Sequence, residues 1–503
     1  MTRTTRPDAV HAALAKDRLG LLSVIYFSLS GVAPLTVVAG VVTTAYAVTG
    51  LTSVPAAFYL VAAVLALFSV GYIAMSRHVR NAGAFYAYIA QGLGRQTGVG
   101  AAGVAVLAYN LLQVGLYGAF GVTAASFFAQ HAGIHWRWWE WALLAWAIVA
   151  ILGLLRVDLN SRVLAVLGTA EVLVIVIMTI VGLSKPAGGS VSFSTLSPSS
   201  LHTGGLGAVL AIALLGYVGF ETSAVYTEEA RNPRHTVRLA TYMSLGLIAV
   251  VYTAASWMLT VTYGPSHVVK VAQEEGPGML FGVGSVLLGN VGQTLFLTSL
   301  LAAMIAFHSA VGRYLFPLGR EQVLPSGLGR PGPSGAPRAA SLVQSFIGLA
   351  VIVTYAVKGW DPMVKLFFYL GTTGGFGILV LAALTSVSVI AFFARDRRGE
   401  GMWSAVIAPV AAAVILTVMV WLAVDNYSIL LGVPPGSRLA WEFPAAYIVA
   451  AALGVVWATV LKFTRPDVYQ KIGLGADAVT RRATTSAAVP GIPPAAQAGG
   501  PPR

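Results

Sequence analysis

Twelve long apolar segments, separated by short polar stretches, dominate this sequence. A segment of about 20 apolar residues is long enough to cross the hydrocarbon core of a bilayer as a helix. The segments are continuous rather than alternating, which favours helices over the strands of a membrane barrel. We therefore predict an all-α polytopic membrane protein with twelve transmembrane helices. The spans cover residues 19–47, 54–75, 97–130, 139–155, 162–183, 205–228, 239–263, 289–318, 339–357, 363–394, 404–424 and 441–463.

Composition and charge agree with a membrane protein. Of the 503 residues, 57% are hydrophobic and 10% are charged, whereas soluble domains contain about 25% charged residues. If both termini are cytoplasmic, 25 of the 31 Lys and Arg residues lie on the cytoplasmic side. This bias predicts a multi-pass protein of the cytoplasmic membrane with both termini inside the cell. It also explains the net charge of +13 through contact with the lipid bilayer, without a nucleic-acid partner.

The chain divides into a membrane domain and two tails. Residues 1–18 are polar and basic and form the predicted cytoplasmic N-terminal tail. No small-residue cleavage signal follows the first apolar run, so we interpret that run as a retained span. Residues 19–463 form the predicted transmembrane domain, and residues 464–503 are rich in Ala, Pro and Gly, which predicts a disordered cytoplasmic tail. The overall Ala, Gly, Val, Arg and Pro bias fits a bacterial protein.

Two spans contain features that interrupt a helix. The first reads "FSLSGVAPLTVVAG", where Ser30 and Gly31 favour local unwinding and Pro34 suits the first turn of a restarted helix. The sixth reads "GYVGFETS", with Gly216 and Gly219 three residues apart. A helix broken in the membrane exposes N–H groups on one half and carbonyls on the other. A zwitterionic amino acid matches both ends.

The two breaks fall at corresponding positions of two five-span halves. That arrangement is typical of inverted-repeat transporters, which bind substrate between the repeats. The alternative is that these glycines only allow close helix packing, as membrane helices commonly require. Packing explains Gly115, Gly118 and Gly121 of the third span well, but it is less adequate where Pro34 or Glu221 accompanies the glycine.

Three ionisable side chains lie deep within spans: Glu171, Glu221 and His308. A charged carboxylate at a helix centre costs roughly 3 kcal/mol even on insertion scales. Glu171 is either a neutral acid bonded to a carbonyl of a neighbouring helix or a proton-coupling or ion-replacing group. Glu221 lies at a glycine-flanked break, which favours a functional role. His308 is either a hydrogen-bonded packing residue or part of a substrate or proton site.

The order of these motifs resembles the amino acid–polyamine–organocation (APC) superfamily of permeases. The segment "GFETSAVYTEEARNPRHTVRLA" (219–240) is similar to the family's sixth-span signature. "SRHVRNAGAFYAYIAQGLGR" (76–95) resembles its re-entrant loop before the third span, and "GRYLFPLGREQVLP" (312–325) resembles the segment after its eighth span. The resemblance covers about residues 17–465. It implies a LeuT-like 5+5 inverted repeat with broken helices 1 and 6: repeat one at about 19–183, repeat two at about 205–394, and helices 11–12 at about 404–463.

The resemblance also implies site residues. The first break would bind the substrate carboxylate, and the second would bind the amino group through its carbonyls. Glu221 matches a gating or proton-responsive glutamate, and Glu171 falls where some relatives place a lysine in the space of a sodium ion. The first-span "SGVAPLT" departs from the commoner Gly-Ser-Gly pattern. The implied substrate-binding residues of the two breaks are Ser30, Gly31, Val32, Ala33, Gly216, Tyr217, Val218 and Gly219.

Uncharged polar groups in the third, eighth and tenth spans are candidates for the pocket wall. Asn110 and Gln113 lie one turn apart on the third span, His308 lies on the eighth, and Tyr369 and its neighbour Thr372 lie on the tenth. The alternative for each is a hydrogen bond that bridges two helices.

These observations predict a secondary active transporter that moves an amino acid by alternating access, coupled to a proton and without another cofactor, metal or obligatory protein partner. An amine or polyamine transporter and an amino acid exchanger remain alternatives, as does a nutrient sensor that no longer transports. A membrane enzyme is disfavoured, because the eight histidines are scattered and the chain has no cysteine.

Overall fold

The computed structural model describes residues 20–79, 81–154, 157–201, 204–224, 232–332 and 336–475. Within these ranges the chain is helical and contains no strand. The first half begins with two short helices in place of one span, α1 (Leu21–Val32) and α2 (Pro34–Thr49). The helices that follow are α3 (Val54–Ser76), α4 (Ala84–Leu93), α5 (Arg95–Ala132), α6 (Trp138–Gly153) and α7 (Val157–Leu183).

The second half begins with α8 (Leu206–Tyr217), followed by a 3₁₀ turn at Phe220–Ala224. The longer helices that follow are α9 (Pro233–Tyr263), α12 (Val286–Arg320), α13 (Arg338–Lys358), α14 (Pro362–Arg395), α15 (Trp403–Asp425) and α17 (Leu439–Thr464). The short ones are α10 (Val268–Glu275), α11 (Gly278–Phe281), α16 (Tyr427–Leu430) and α18 (Pro466–Tyr469).

Ten helices of the described ranges are long and apolar enough to cross a membrane. The predicted first span is divided at Ala33, and α6, the predicted fourth span, has only 16 residues, which is about 24 Å of helix. The other ten predicted spans each correspond to one of the long segments. The all-helical membrane fold is therefore confirmed, whereas the count of twelve is not confirmed by helix length.

The centre of the bundle is built on α5, which contacts α12, α14 and α17. Small residues allow these close contacts, because a Cβ at Gly118 would lie 2.3 Å from the Pro362 carbonyl oxygen and one at Gly121 would lie 2.4 Å from that of Trp138. The packing interpretation of these third-span glycines is thus confirmed. By contrast, α17 carries many exposed apolar side chains, as expected of a helix that faces lipid.

One face of the bundle carries the loops that are rich in Arg and Lys. Glu400 joins two of these loops, since it accepts hydrogen bonds from Arg77 at 3.0 and 3.1 Å. Arg395 donates to the Gln91 carbonyl at 3.0 Å on the same side. We call this side, with residues 77–95, 320–330, 395–400 and 465–475, the basic face. Charge bias predicts that it is cytoplasmic.

The boundary of the C-terminal tail differs from the prediction. Residues 465–475 are folded onto the basic face, with α18 followed by turns, and Val468 and Ile472 are buried. Burial of these side chains and backbone hydrogen bonds to the bundle explain why a short polar segment is ordered. The predicted tails at 1–18 and from 476 onward lie outside the described residues.

Candidate substrate site

The first break lies at Ala33, the last residue of the predicted segment 30–33 and the residue before the predicted restart at Pro34. Ala33 has φ 48° and ψ 75°, a left-handed conformation, and Pro34 opens the restarted helix α2. Gly31 and Val32 remain in the last turn of α1, because the helical hydrogen-bond pattern is lost only where proline removes a donor. At the first break, the last turn of α1 therefore presents backbone carbonyl groups, whereas the first turn of α2 presents the N–H groups of Leu35 and Thr36. The Ser30 side chain lies outside the described residues.

The second break separates α8 from the 3₁₀ turn that carries Glu221. Val218 has an extended ψ of 128°, and Gly219 has φ 117°. A positive φ of this size is routine for glycine and strained for other residues. The Gly219 carbonyl then accepts from the N–H and hydroxyl of Thr222, at 3.1 and 2.6 Å. The break predicted from the "GYVGFETS" segment is confirmed at Val218 and Gly219.

The two breaks touch each other in the middle of the bundle. A Cβ placed on Gly219 would lie 2.5 Å from the Gly31 carbonyl carbon and 2.6 Å from the Val32 nitrogen. Only a glycine permits this approach of backbone to backbone. The chain thus brings together the two interrupted segments, although they are almost 190 residues apart in sequence.

A cavity of about 70 Å³ adjoins the two breaks on the side away from the basic face. Five predicted residues line it: Gly31, Val32, Ala33, Val218 and Thr372. None of its wall residues carries a charge, and most are apolar. The remaining wall residues are Thr36, Val37, Gly40, Val41, Thr44, Leu112, Leu116, Ile212, Leu215, Ala303, Phe307, Phe367, Phe368 and Gly371.

Glu171 occupies the N-terminal end of the restarted helix α2. One of its carboxyl oxygens accepts from the Leu35 N–H at 3.3 Å and from the Ser299 hydroxyl at 2.7 Å. Ser299 in turn accepts from the N–H and hydroxyl of Thr36, at 3.2 and 3.0 Å. A side-chain carboxyl therefore already sits where the helix dipole favours an anion. Glu171 links the fifth and eighth spans to the first break, and its partners are donors rather than a helix carbonyl.

Glu221 fixes the geometry of the second break. Its two carboxyl oxygens accept from the Tyr109 hydroxyl at 2.6 Å and from the Gly219 N–H at 2.9 Å. The side chain is buried and does not line the cavity. Glu221 thus ties the third span to the broken sixth span.

Replacement of Tyr109 by Phe should lower the stability of the protein by about 1.5–3 kcal/mol, because a buried carboxyl loses a donor. Tyr46→Phe is the matched control, since the Tyr46 hydroxyl is equally buried but donates to the Ser256 carbonyl at 2.8 Å. Loss of the Tyr46 hydrogen bond should lower the stability of the protein by about 1 kcal/mol. Thermal unfolding of the detergent-purified variants measures both effects, and equal losses would contradict the special role of the Tyr109 contact.

Gln113 and His308 belong to a polar network away from the cavity. The Gln113 amide lies 3.3 Å from His308 Nδ1 and 3.2 Å from the Tyr117 hydroxyl, and His308 Nε2 lies 2.8 Å from the Ser341 hydroxyl. Gln344 donates to the Gln113 side-chain oxygen. This network bridges α5, α12 and α13, so the helix-bridging alternative describes both residues, and neither lines the cavity.

Other predicted pocket residues also lie outside the cavity wall. Asn110 donates to the Val106 carbonyl on its own helix at 2.8 Å, and the Tyr217 hydroxyl donates to the Phe58 carbonyl at 2.9 Å. Gly216 accommodates Phe58 by close packing, and the Tyr369 ring lies tilted beside that of Phe368 and edge-on to that of Phe443. Sequence polarity pointed to these positions because hydrogen bonds within and between helices use the same residue types as a substrate site.

Sequence reasoning missed most of the apolar wall. Leu112 and Leu116 are one turn apart on α5, as are Phe367 and Gly371 on α14. Helices that are apolar all round give no periodic signal for the side that faces a cavity. Of the α14 wall, the sequence marked only Thr372 in advance, as an uncharged polar residue of the tenth span.

Comparison with known proteins is consistent with this geometry. A family model described as "Amino acid permease" matches residues 19–453. The branched-chain amino acid permease BcaP of Lactococcus lactis subsp. cremoris is 28% identical over 262 residues, which are 52% of this chain and 53% of that protein. The cadaverine/lysine antiporter of Escherichia coli K12 is 29% identical over 155 residues, or 28% of this chain and 32% of the antiporter. The chain spans about half or less of these relatives' length in each match.

Interrupted first and sixth helices that meet beside a central cavity are typical of membrane proteins of the inverted-repeat class. The chain belongs to the amino acid permease family, since the family model covers most of its length. The family match supports the predicted LeuT-like architecture and the resemblance to the APC superfamily.

Proposed function

We propose that this protein is a secondary active transporter that carries an amino acid with an apolar side chain across the cytoplasmic membrane. The observation that carries the proposal is the uncharged cavity beside the two abutting breaks. The interrupted helices provide backbone N–H and carbonyl groups for the carboxylate and amino groups of the substrate. Val37, Leu112 and Ile212 provide an apolar surface for its side chain. Alternating access then follows from rocking of the two repeats around this site.

We further propose that Glu171 carries a coupled proton and that Glu221 acts in gating. Glu171 connects the restarted first span to the eighth span, so a change in its protonation alters the hydrogen bonds of Leu35 and Ser299. Both residues lie beside the breaks that must move in the transport cycle.

An amine or polyamine substrate is the second candidate, and the antiporter relative motivates it. Such a cation would need a carboxylate in the cavity wall. Glu171 and Glu221 are both engaged with the breaks, and neither lines the cavity. This arrangement favours the amino acid over the amine.

Thermal stabilisation by matched ligand pairs tests the substrate class. Leucine is compared with isoamylamine and lysine with cadaverine, so that each amine lacks only the carboxylate. A ligand at 100 times its dissociation constant adds about 2.7 kcal/mol of stability. We expect leucine, isoleucine, valine or phenylalanine to stabilise the protein and their amines not to. Stabilisation by cadaverine or isoamylamine alone would replace this proposal with amine transport.

Gly371 offers a way to test the cavity as the side-chain pocket. It lines the cavity, and a Cβ on it would meet no atom within 4 Å. Gly371→Val should therefore narrow the pocket and weaken leucine binding relative to alanine binding by about tenfold. Gly246→Val is the control, because Gly246 is an exposed helical glycine whose Cβ also has open space. Ligand-dependent melting curves give both ratios, and an unchanged leucine-to-alanine ratio in Gly371→Val would place the side chain elsewhere.

A further inference from the structure

The C-terminal segment 465–475 lies across two loops that the sequence singled out but the substrate site does not explain. One loop leads into α4, and the other follows α12 and contains Glu321. They belong to different repeats of the predicted architecture. We call residues 465–475 the strap.

Glu321 is the point at which these three segments meet. It is fully buried, and its Oε1 accepts from the Asn81 amide at 3.2 Å and from the Gly475 N–H at 2.7 Å. Its Oε2 accepts from the Gly473 N–H at 2.9 Å and from the Tyr86 hydroxyl. The pKa of the Glu321 carboxyl is raised by burial, an effect that the Tyr86 hydroxyl, the two strap N–H groups and the charge of Arg320 only partly offset. Two of the four donors come from the strap.

The strap makes further contacts with α4 and the start of α5. The Gln91 amide donates to the Gly473 carbonyl at 3.1 Å, and Arg95 donates to the Gln470 carbonyl at 3.3 Å. The Arg95 guanidinium also lies 5.6 Å from the centre of the Tyr469 ring. The strap is thus held by side chains as well as by its own buried residues.

On its other side, α4 packs against the second break. The Phe85 and Tyr88 rings lie 5.7 and 5.2 Å from the Tyr72 ring, and the Tyr72 hydroxyl donates to the Glu221 carbonyl at 3.1 Å. The Phe85 N–H donates to the Tyr314 hydroxyl at 3.4 Å. An aromatic layer therefore fills the space between α4 and the break and separates the break from the basic face.

We propose that the strap holds α4 and its aromatic layer in place, and that release of the strap opens the basic-face end of the transport path. The cavity of this structure lies on the opposite side of the breaks, so the engaged strap belongs to a state that is closed toward the basic face. Without the strap, Glu321 loses two N–H donors, and Tyr86 and Asn81 lose a fixed partner. The inference rests on the proposed carrier role of the breaks.

Gly473→Ala is the variant that releases the strap within the full-length chain. Gly473 has φ 79°, and an added Cβ would lie 2.7 Å from the Ala90 Cβ on α4. Because the chain contains no cysteine, the labelling rate of one introduced cysteine reports the solvent accessibility of that position alone. Ser28→Cys is the probe, because Ser28 is buried in α1 on the basic-face side of the first break. Its hydroxyl has no hydrogen-bond partner among the described residues.

In the Gly473→Ala background, a water-soluble thiol reagent should label Cys at position 28 about tenfold faster, because the open state becomes more populated. Gly436→Ala is the control, since Gly436 also has a positive φ, 85°, but an added Cβ there meets no atom within 4 Å. It lies in the loop before α17, on the face opposite the strap, and should leave the labelling rate unchanged.

Glu321→Gln is a second variant that acts on the same contact without backbone strain. The Gln side chain has one acceptor oxygen where Glu has two, and its NH₂ group faces donors. The contact with the strap should therefore weaken, and the thiol at position 28 should again be labelled faster. Unchanged labelling in both variants, with folding confirmed by size-exclusion chromatography, would overturn the strap proposal. The measurement needs no substrate, so it fails or succeeds separately from the substrate panel.

Discussion

Replacement of Glu171 by Gln should abolish uptake driven by a pH gradient while leaving exchange of labelled for unlabelled substrate. Gln has nearly the shape of Glu and keeps an oxygen that can accept from the Leu35 N–H and the Ser299 hydroxyl. It cannot gain or lose a proton between pH 5 and 8, so only the coupling should be affected. Uptake into proteoliposomes with and without an imposed pH gradient measures both activities.

Glu221→Gln is the matched comparison for this experiment. Both oxygens of Glu221 accept hydrogen bonds, from Tyr109 and from Gly219, so an amide group there opposes a donor. We expect that variant to lower stability and both modes of transport together. Full pH-driven uptake by Glu171→Gln would remove Glu171 from the proton role, and selective loss of coupling in Glu221→Gln would assign the role to Glu221.

Gly219→Ala should have the largest effect of any single methyl group in the site. The φ of 117° is strained for alanine, and the added Cβ would lie 2.5 Å from the Gly31 carbonyl carbon. The backbone strain alone costs about 1–3 kcal/mol, and the contact with rigid backbone adds to it because neither break can yield without moving the other. We expect little folded protein, or folded protein without substrate-dependent stabilisation.

Gly205→Ala separates backbone strain from the contact between the breaks. Gly205 lies at the other end of α8, has φ 79°, and an added Cβ would be 3.6 Å from the nearest atom, on Leu51. Gly205→Ala should therefore lower the free energy of unfolding only by the strain of the left-handed conformation. Yield of monodisperse protein and melting temperature compare the two variants. Equal stability would mean that the two breaks are less tightly apposed than the structure indicates.

The elements that could be predicted from the sequence are those with a local chemical cause. Pro34 and Gly219 change what the backbone can do, so each break is visible within a few residues. Glu171 and Glu221 are visible because a carboxyl among apolar residues has few tolerable environments. Within the predicted segment 30–33 the interruption falls at its last residue, Ala33, since Ser30 and Gly31 permit unwinding whereas Pro34 requires it.

The cavity wall and the strap could not be predicted in this way. Which sides of α5 and α14 face the cavity depends on how the helices pack, and Leu112 and Phe367 look like any other membrane residues. The strap has an i, i+4 pair of apolar residues, Val468 and Ile472, but its order depends on a carboxyl more than 140 residues earlier in the chain. Such long-range partners leave no local pattern.

The placement of Glu171 has a consequence for the direction of net movement. A carrier that performs net uptake must return without substrate after each release. Unpaired backbone N–H groups at a helix end inside a membrane would make that return step slow. Here the unloaded protein supplies its own ligands, because Glu171 and Ser299 satisfy the Leu35 and Thr36 N–H groups. Under the carrier function proposed above, we therefore expect the empty form to complete the cycle without a second substrate, which favours net uptake over obligatory exchange.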